Sequence, residues 1–125
     1  MVGFPRKDLN RMPNQTKENR PWGWFETIEE GIKYKFKRLW IAPNKRFSLQ
    51  KHNKRSEIWI VYQGSGVVTL NDKTIEVTVG SSVNIAVGDI HRATAGDDGL
   101  LIFEAQFGEC QEEDIVRFED DFGRA

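Results

Sequence analysis

From Trp22 onward the chain reads as strand after strand, in short runs rich in Val, Ile, Phe, Trp and Thr, each ended by turn-forming residues. The runs are Ile32–Ala42, Phe47–His52, Glu57–Gln63, Gly66–Leu70, Thr74–Val79, Ser82–Ala86, His91–Ala95 and Leu100–Phe107. In the first of them Tyr34, Phe36, Arg38 and Trp40 share one face by the two-residue period of a strand. Asn71-Asp72 predicts a hairpin, Gly64-Ser65-Gly66 a turn, and Gly88-Asp89 and Gly96-Asp97-Asp98-Gly99 two more. Only Gln111 to Phe118 predicts a helix, and a short one. About eight regularly spaced strands with almost no helix restrict the chain to an all-β sandwich or barrel.

A chain of 125 residues makes one domain. Residues 1–19, interrupted by Pro5, Pro13 and several Asn, read as an irregular arm ahead of a domain spanning 20–125. The one cysteine, Cys110, has no partner for a disulfide and suits a reducing, cytoplasmic setting. No run approaches the ~18 apolar residues of a membrane helix, and the first twenty residues lack the apolar core of a secretion signal, so no membrane partner is expected. The formal net charge of −1 hides an asymmetry, because 14 of the 18 Lys and Arg precede Ser56 while 14 of the 19 Asp and Glu follow from there. No RNA-binding aromatic signature or helix-turn-helix pattern accompanies the basic half, so no nucleic acid is expected. An anionic small molecule, or the chain's own acidic half, is the expected partner of that charge.

The sequence holds two histidines, His52 and His91. Gln50 and His52 lie two apart on a predicted strand, so both leave the same face. Glu57 opens the next strand across a turn containing Asn53-Lys54-Arg55, which brings it beside the end of the first. Three polar groups thus converge, and a histidine from a distant strand could complete a four-ligand set. On the last long run Glu104 and Gln106 alternate with Ile102, opposite Leu101, Phe103 and Phe107. That pattern fits either a strand lining a pocket or one facing solvent.

The pattern Gln50-x-His52, four residues, Glu57, six residues, Gly64 resembles the first cupin motif, with Gln50 in place of its first His and Asn44 in place of its first Gly. Gly80, five residues, Ala86-x-Gly88, two residues, His91 resembles the second, with Ala86 for its Pro and Ala95 for its final Asn. The likeness is closer to one branch, the cupin domain of the type II phosphomannose isomerases. Arg20-Pro21-Trp22-Gly23, Tyr34-Lys35-Phe36-Lys37-Arg38, the stretch Ser48 to Trp59, Gly88 to Arg92 and the tail Glu112 to Arg124 all resemble that family. Lys54 and Ile58 stand where its pattern has His. The guanylyltransferase half often fused to such domains has no counterpart in these residues, so guanylyl transfer is not expected of this chain.

The resemblance implies a cupin barrel (a jelly roll, or double-stranded β-helix) and one divalent transition metal on Gln50, His52, Glu57 and His91. The mixed N/O donor set suits Zn, Mn, Fe, Co or Ni better than Ca or Mg. It implies isomerisation of mannose-6-phosphate to fructose-6-phosphate through an enediolate, with Glu104 the candidate base and Arg92 a second catalytic candidate. Arg55, Lys35, Lys37, Lys54 and Gln106 are the candidate substrate-binding residues, the cations for a phosphate. A homodimer is expected from the same likeness. The alternatives are a nucleotide-sugar isomerase, an oxygenase, or a sugar-binding module that keeps the metal without chemistry.

Overall fold

The computed structural model describes residues 17–125. The nine strands are β1 (Lys17–Arg20), β2 (Gly23–Glu30), β3 (Tyr34–Ile41), β4 (Leu49–Lys51), β5 (Arg55–Leu70), β6 (Lys73–Thr78), β7 (Ser82–Ile85), β8 (His91–Gly108) and β9 (Val116–Glu119), all paired antiparallel. Most of the expected arm lies outside the described residues, but its end belongs to β1, which pairs with β2. Among the described residues there is no helix, and none of their elements is long and apolar enough to cross a membrane as one.

Two long strands, β5 and β8, form the spine. Each was expected as two strands separated by a glycine-rich turn, and each instead runs through. Gly64 takes φ 84, and a Cβ there would stand 2.1 Å from the carbonyl oxygen of Gly99 on the partner strand. The register slips between Val61 and Gln63 and again between Gly64 and Gly66. Glycine therefore supplies the left-handed backbone for a bulge that bends both strands together without breaking their ladder. The bend divides the sheet into two walls. One wall is β1-β2-β3, the second half of β8, the first half of β5, and β7; the other is β9-β4, the first half of β8, the second half of β5, and β6. The Asn71-Asp72 hairpin joins β5 to β6, with Asn71 at φ 53.

The predicted helix over Gln111 to Phe118 is not formed. Its end is β9, which pairs with β4 through Gln50↔Arg117 and Lys51↔Val116. The ladder offered by β4 outweighs the weak helical tendency of so short a stretch.

Apolar side chains from both walls meet in one core that includes Leu39, Ile41, Phe47, Trp59, Val61, Val68, Ala93, Leu100 and Ile102. Each large one contributes roughly 1.5–3 kcal/mol relative to exposure. Along three adjacent strands the inward face changes character at one level. Ile41 and Leu39 give way to Lys37 and Lys35 on β3, Ile102 to Glu104 and Gln106 on β8, and Val61 and Trp59 to Glu57 and Arg55 on β5. The register aligns these changes, since Glu104 faces Lys37 and Trp59, and Gln106 faces Lys35 and Glu57. One end of the interior is thus an apolar core and the other a charged cavity. The outward face of β5 keeps Ile58, Ile60 and Tyr62 exposed.

Candidate metal centre and cation-lined cavity

The polar end encloses a cavity of about 140 Å³. One ligand atom each from His52, Glu57 and His91 lies within 4.8 Å of the others; all three side chains are buried, and His52 among them lines the cavity. His52 hangs from the turn after β4, whose amides at Asn53 and Lys54 each donate to the Asp114 carboxylate at 2.9 Å. His91 opens β8 directly opposite Gln50. Asn44, in place of the motif glycine, takes φ 61, a left-handed conformation that Asn tolerates better than most side chains do.

The hydrogen bonds set the tautomers. His52 Nδ1 lies 2.7 Å from the carbonyl oxygen of Asp114, and His91 Nδ1 lies 2.9 Å from that of Asp89. A carbonyl only accepts, so each Nδ1 carries the proton and each Nε2 presents a lone pair. His52 Nε2 stands 3.3 Å from Glu57 Oε2, and His91 Nε2 stands 3.9 Å from Glu57 Oε1. His91 Nε2 is buried without a hydrogen-bond partner. Burial first, and the Arg55 cation next, push the His52 imidazole down to about 4; burial lowers His91 as well. Both rings are therefore neutral at neutral pH, as metal ligation requires. Two imidazole nitrogens locked in the ligating tautomer, a carboxylate between them and one orphaned lone pair fit a divalent transition metal.

Gln50 is half-buried at the cavity wall, and its Oε1 accepts from Ser48 Oγ at 2.8 Å. Arg55 donates from Nε to Glu57 Oε2 at 2.8 Å and from Nη2 to His52 Nε2 at 3.2 Å, so it contacts two of the candidate donor atoms. Glu104 lines the cavity with both oxygens engaged. The Trp59 indole donates at 3.0 Å to Glu104 and at 3.0 Å to Glu57, and Gln106 Nε2 donates to Glu104 at 2.7 Å. Burial, and then the charge of Glu57, raise the Glu104 carboxyl to about 7. Sequence reasoning gave Trp59 no part in the site, although this bifurcated bond couples the two carboxylates.

One expected catalytic residue, Arg92, and two expected substrate contacts, Lys54 and Lys35, are placed elsewhere. Arg92 alternates with His91, so its guanidinium leaves the opposite face and bonds the Phe47 carbonyl at 2.9 Å and Glu119 Oε1 at 3.2 Å. It clasps the β4–β9 edge and is not in the cavity. Lys54 is exposed in the turn, because β4 ends at Lys51 and the strand alternation does not reach it. Lys35 is buried outside the cavity lining, 3.5 Å from Glu112 and 3.7 Å from Glu30. Lys37 does line the cavity and is ion-paired with Glu112. Ile58, the other departure from the resembled pattern, points outward, so neither Lys54 nor Ile58 intrudes on the donor set.

A family model described as "Mannose-6-phosphate isomerase C-terminal" matches residues 7–120. The chain belongs to this family. It is 38% identical to the alginate biosynthesis protein AlgA of Pseudomonas aeruginosa over 94% of this chain and 26% of that protein. It is 40% identical to the xanthan biosynthesis protein XanB of Xanthomonas campestris over 84% and 23%, and 36% identical to the mannose-1-phosphate guanylyltransferase ManC of Salmonella typhimurium over 84% and 22%. The chain thus spans about a quarter of the length of these curated relatives. Among solved structures, an RmlC-like cupin from Shewanella frigidimarina superposes with TM-score 0.71 at 18% identity over 80% of this chain and 89% of that one. Bacillus subtilis oxalate decarboxylase superposes with TM-score 0.75 at 16% identity over 87% and 32%. The fold is that of the cupins, as expected.

Four charged cavity residues were given no role in the sequence reading: Arg20, Glu112, Arg117 and Arg124. All fall in stretches that carry the family resemblance, Arg20 to Gly23 and Glu112 to Arg124, which was the available signal.

Proposed function

We propose that this chain is a divalent-metal-dependent isomerase that interconverts mannose-6-phosphate and fructose-6-phosphate. The observation that carries the reading is the buried His52, Glu57 and His91 cluster joined through the Trp59 indole to the Glu104 carboxyl, with His52 and Glu104 both lining the cavity. His52, Glu57 and His91 would hold the metal, with Gln50 as a fourth ligand. A bound divalent ion supplies Lewis-acid stabilisation of oxyanion charge on the substrate.

Glu104 is the base. It removes the proton from C2 of the open-chain aldose; the electron pair forms the C1–C2 double bond, and O1 takes the charge. A proton passes from O2 to O1, the proton on Glu104 returns to C1, and the carbonyl then stands at C2. Burial holds the Glu104 carboxyl near neutrality, where a carboxylate is basic enough for this exchange. Gln106 and Trp59 orient it from either side.

The test is a coupled assay between the two sugar phosphates. Turnover should disappear with chelator and return with a divalent transition metal. Glu104→Gln should lower kcat by at least about a hundredfold while sparing metal content. Metal-loaded protein that turns over neither sugar phosphate would overturn the reading in favour of a binding module.

A further inference from the structure

Five cationic side chains line the cavity, and they are not equally neutralised. Lys37 is paired with Glu112 and Arg55 with Glu57. Arg124 is held by Asp120, with Nε and Nη2 each donating to its carboxylate at 2.9 Å. Arg20 donates to the Asn19 carbonyl at 2.8 Å, and its ion pair is with the exposed Glu18, at 3.4 Å. Arg117 makes no ion pair or side-chain hydrogen bond among the described residues, and its Nε is buried without a partner.

We propose that Arg117 and Arg20 form an anion subsite, flanked by the Asp120-held Arg124 and built to take the phosphate of the substrate, at the far end of the β9–β4–β8 row from His91. Arg117 on β9 stands directly across from Gln50 on β4, and Gln50 directly across from His91 on β8. Side chains in register share a face, with about 4.5–5.5 Å between neighbouring Cβ atoms. The row Arg117, Gln50, His91 therefore spans two strand spacings, with a cation at one end and metal-ligand nitrogen at the other. A hexose 6-phosphate carries its phosphate at the far end of the carbon chain from C1 and C2, which matches this polarity.

The electrostatics agree. Burial first, and then the charge of Arg124, lower the Arg117 guanidinium below its ordinary range; Asp120 offsets part of this and Arg20 adds to it. Guanidinium does not shed its proton, so the crowding of like charge is relieved by an anion. Arginine also offers the forked donors that a phosphate accepts in pairs. The two lysines expected to bind phosphate are already engaged by Glu112.

That the anion belongs to a sugar phosphate rests on the isomerase reading; the anion subsite itself does not. The experiment titrates the full chain, with and without chelator, with inorganic phosphate, fructose-6-phosphate and fructose. Wild type should bind the two phosphates and not fructose. Arg117→Gln should weaken both phosphates by about 10- to 100-fold, the loss of one charge-assisted contact. Lys73→Gln, at an exposed position on β6 outside the cavity lining, should change neither. Arg117→Lys should recover part of the affinity, and it carries the test should the Gln variant fail to fold. Wild type that binds neither phosphate, or Arg117→Gln that binds both as wild type does, overturns the subsite. Phosphate binding that depends on Arg117, in a metal-loaded protein without turnover, leaves the subsite standing and removes the isomerase reading. Turnover with an unchanged KM in Arg117→Gln does the reverse.

Discussion

His91→Leu tests the metal centre from both sides at once. In metal-free protein His91 Nε2 is buried without a partner, a cost of about 1–3 kcal/mol that leucine of similar bulk removes. The variant also loses the bond from Nδ1 to the Asp89 carbonyl, which contributes about 0.5–1.5 kcal/mol. The two effects oppose each other, so the metal-free variant should match wild type to within about 2 kcal/mol. Metal separates them. At a hundredfold excess over Kd a ligand that binds only the folded state adds about 2.7 kcal/mol. At about 2.1 cal/mol/K per residue, a chain of 125 residues gives an unfolding entropy near 0.26 kcal/mol/K. Wild-type Tm should therefore rise by about 10 °C with excess Zn or Mn, and His91→Leu should show no such rise. Calorimetry with and without metal, beside elemental analysis, reads both quantities. An equal metal-induced rise in the variant would refute ligation by His91. A metal-free variant melting more than about 10 °C below wild type would refute the orphaned lone pair.

Arg55→Gln removes a cation in contact with Glu57 and His52, so metal affinity should rise by at least about tenfold. Competition against a chromophoric chelator measures it, and equal or weaker affinity counts against the contact. Arg124 lowers the Asp120 carboxyl to about 2, below its unfolded value, so its stabilisation is present above about pH 4 and lost as pH falls through about 2. The Tm gap between wild type and Asp120→Asn should shrink over that window, and a gap at pH 2 as wide as at pH 5 would refute the pairing.

The order of strands was legible because alternation and turn residues act locally. The fusion of two runs into β5, and of two into β8, was not, since glycine serves a bulge and a turn by the same left-handed backbone. β9 was missed because Val116 to Glu119 is too short to declare a period, and its extended state comes from pairing with β4. Lys35 and Lys37 have the composition of an ordinary solvent face; only knowledge that β8 and β5 lie beside β3 turns that face inward. For Glu104 the alternation left pocket and solvent both open for the same reason. Arg92 differs, because its place next to His91 on one strand already put the two on opposite faces, and the motif drew attention away from that geometry.

The segment after Gly108 joins the barrel through the β9 ladder and Phe122, and beyond those contacts it is secured by a different force from the core. The core is apolar burial. The tail is fastened by Glu112 on Lys37, Asp114 on the turn amides, Glu119 on Arg92 and Asp121 on Arg46. Salt screens such exposed and half-exposed ion pairs while leaving apolar burial intact or strengthened. The tail also carries Arg117 and Arg124, so ionic strength acts on the anion end of the cavity before it acts on the barrel. An intact fold by melting or by circular dichroism is then no measure of an intact cavity, and the salt in the buffer becomes part of the site's chemistry.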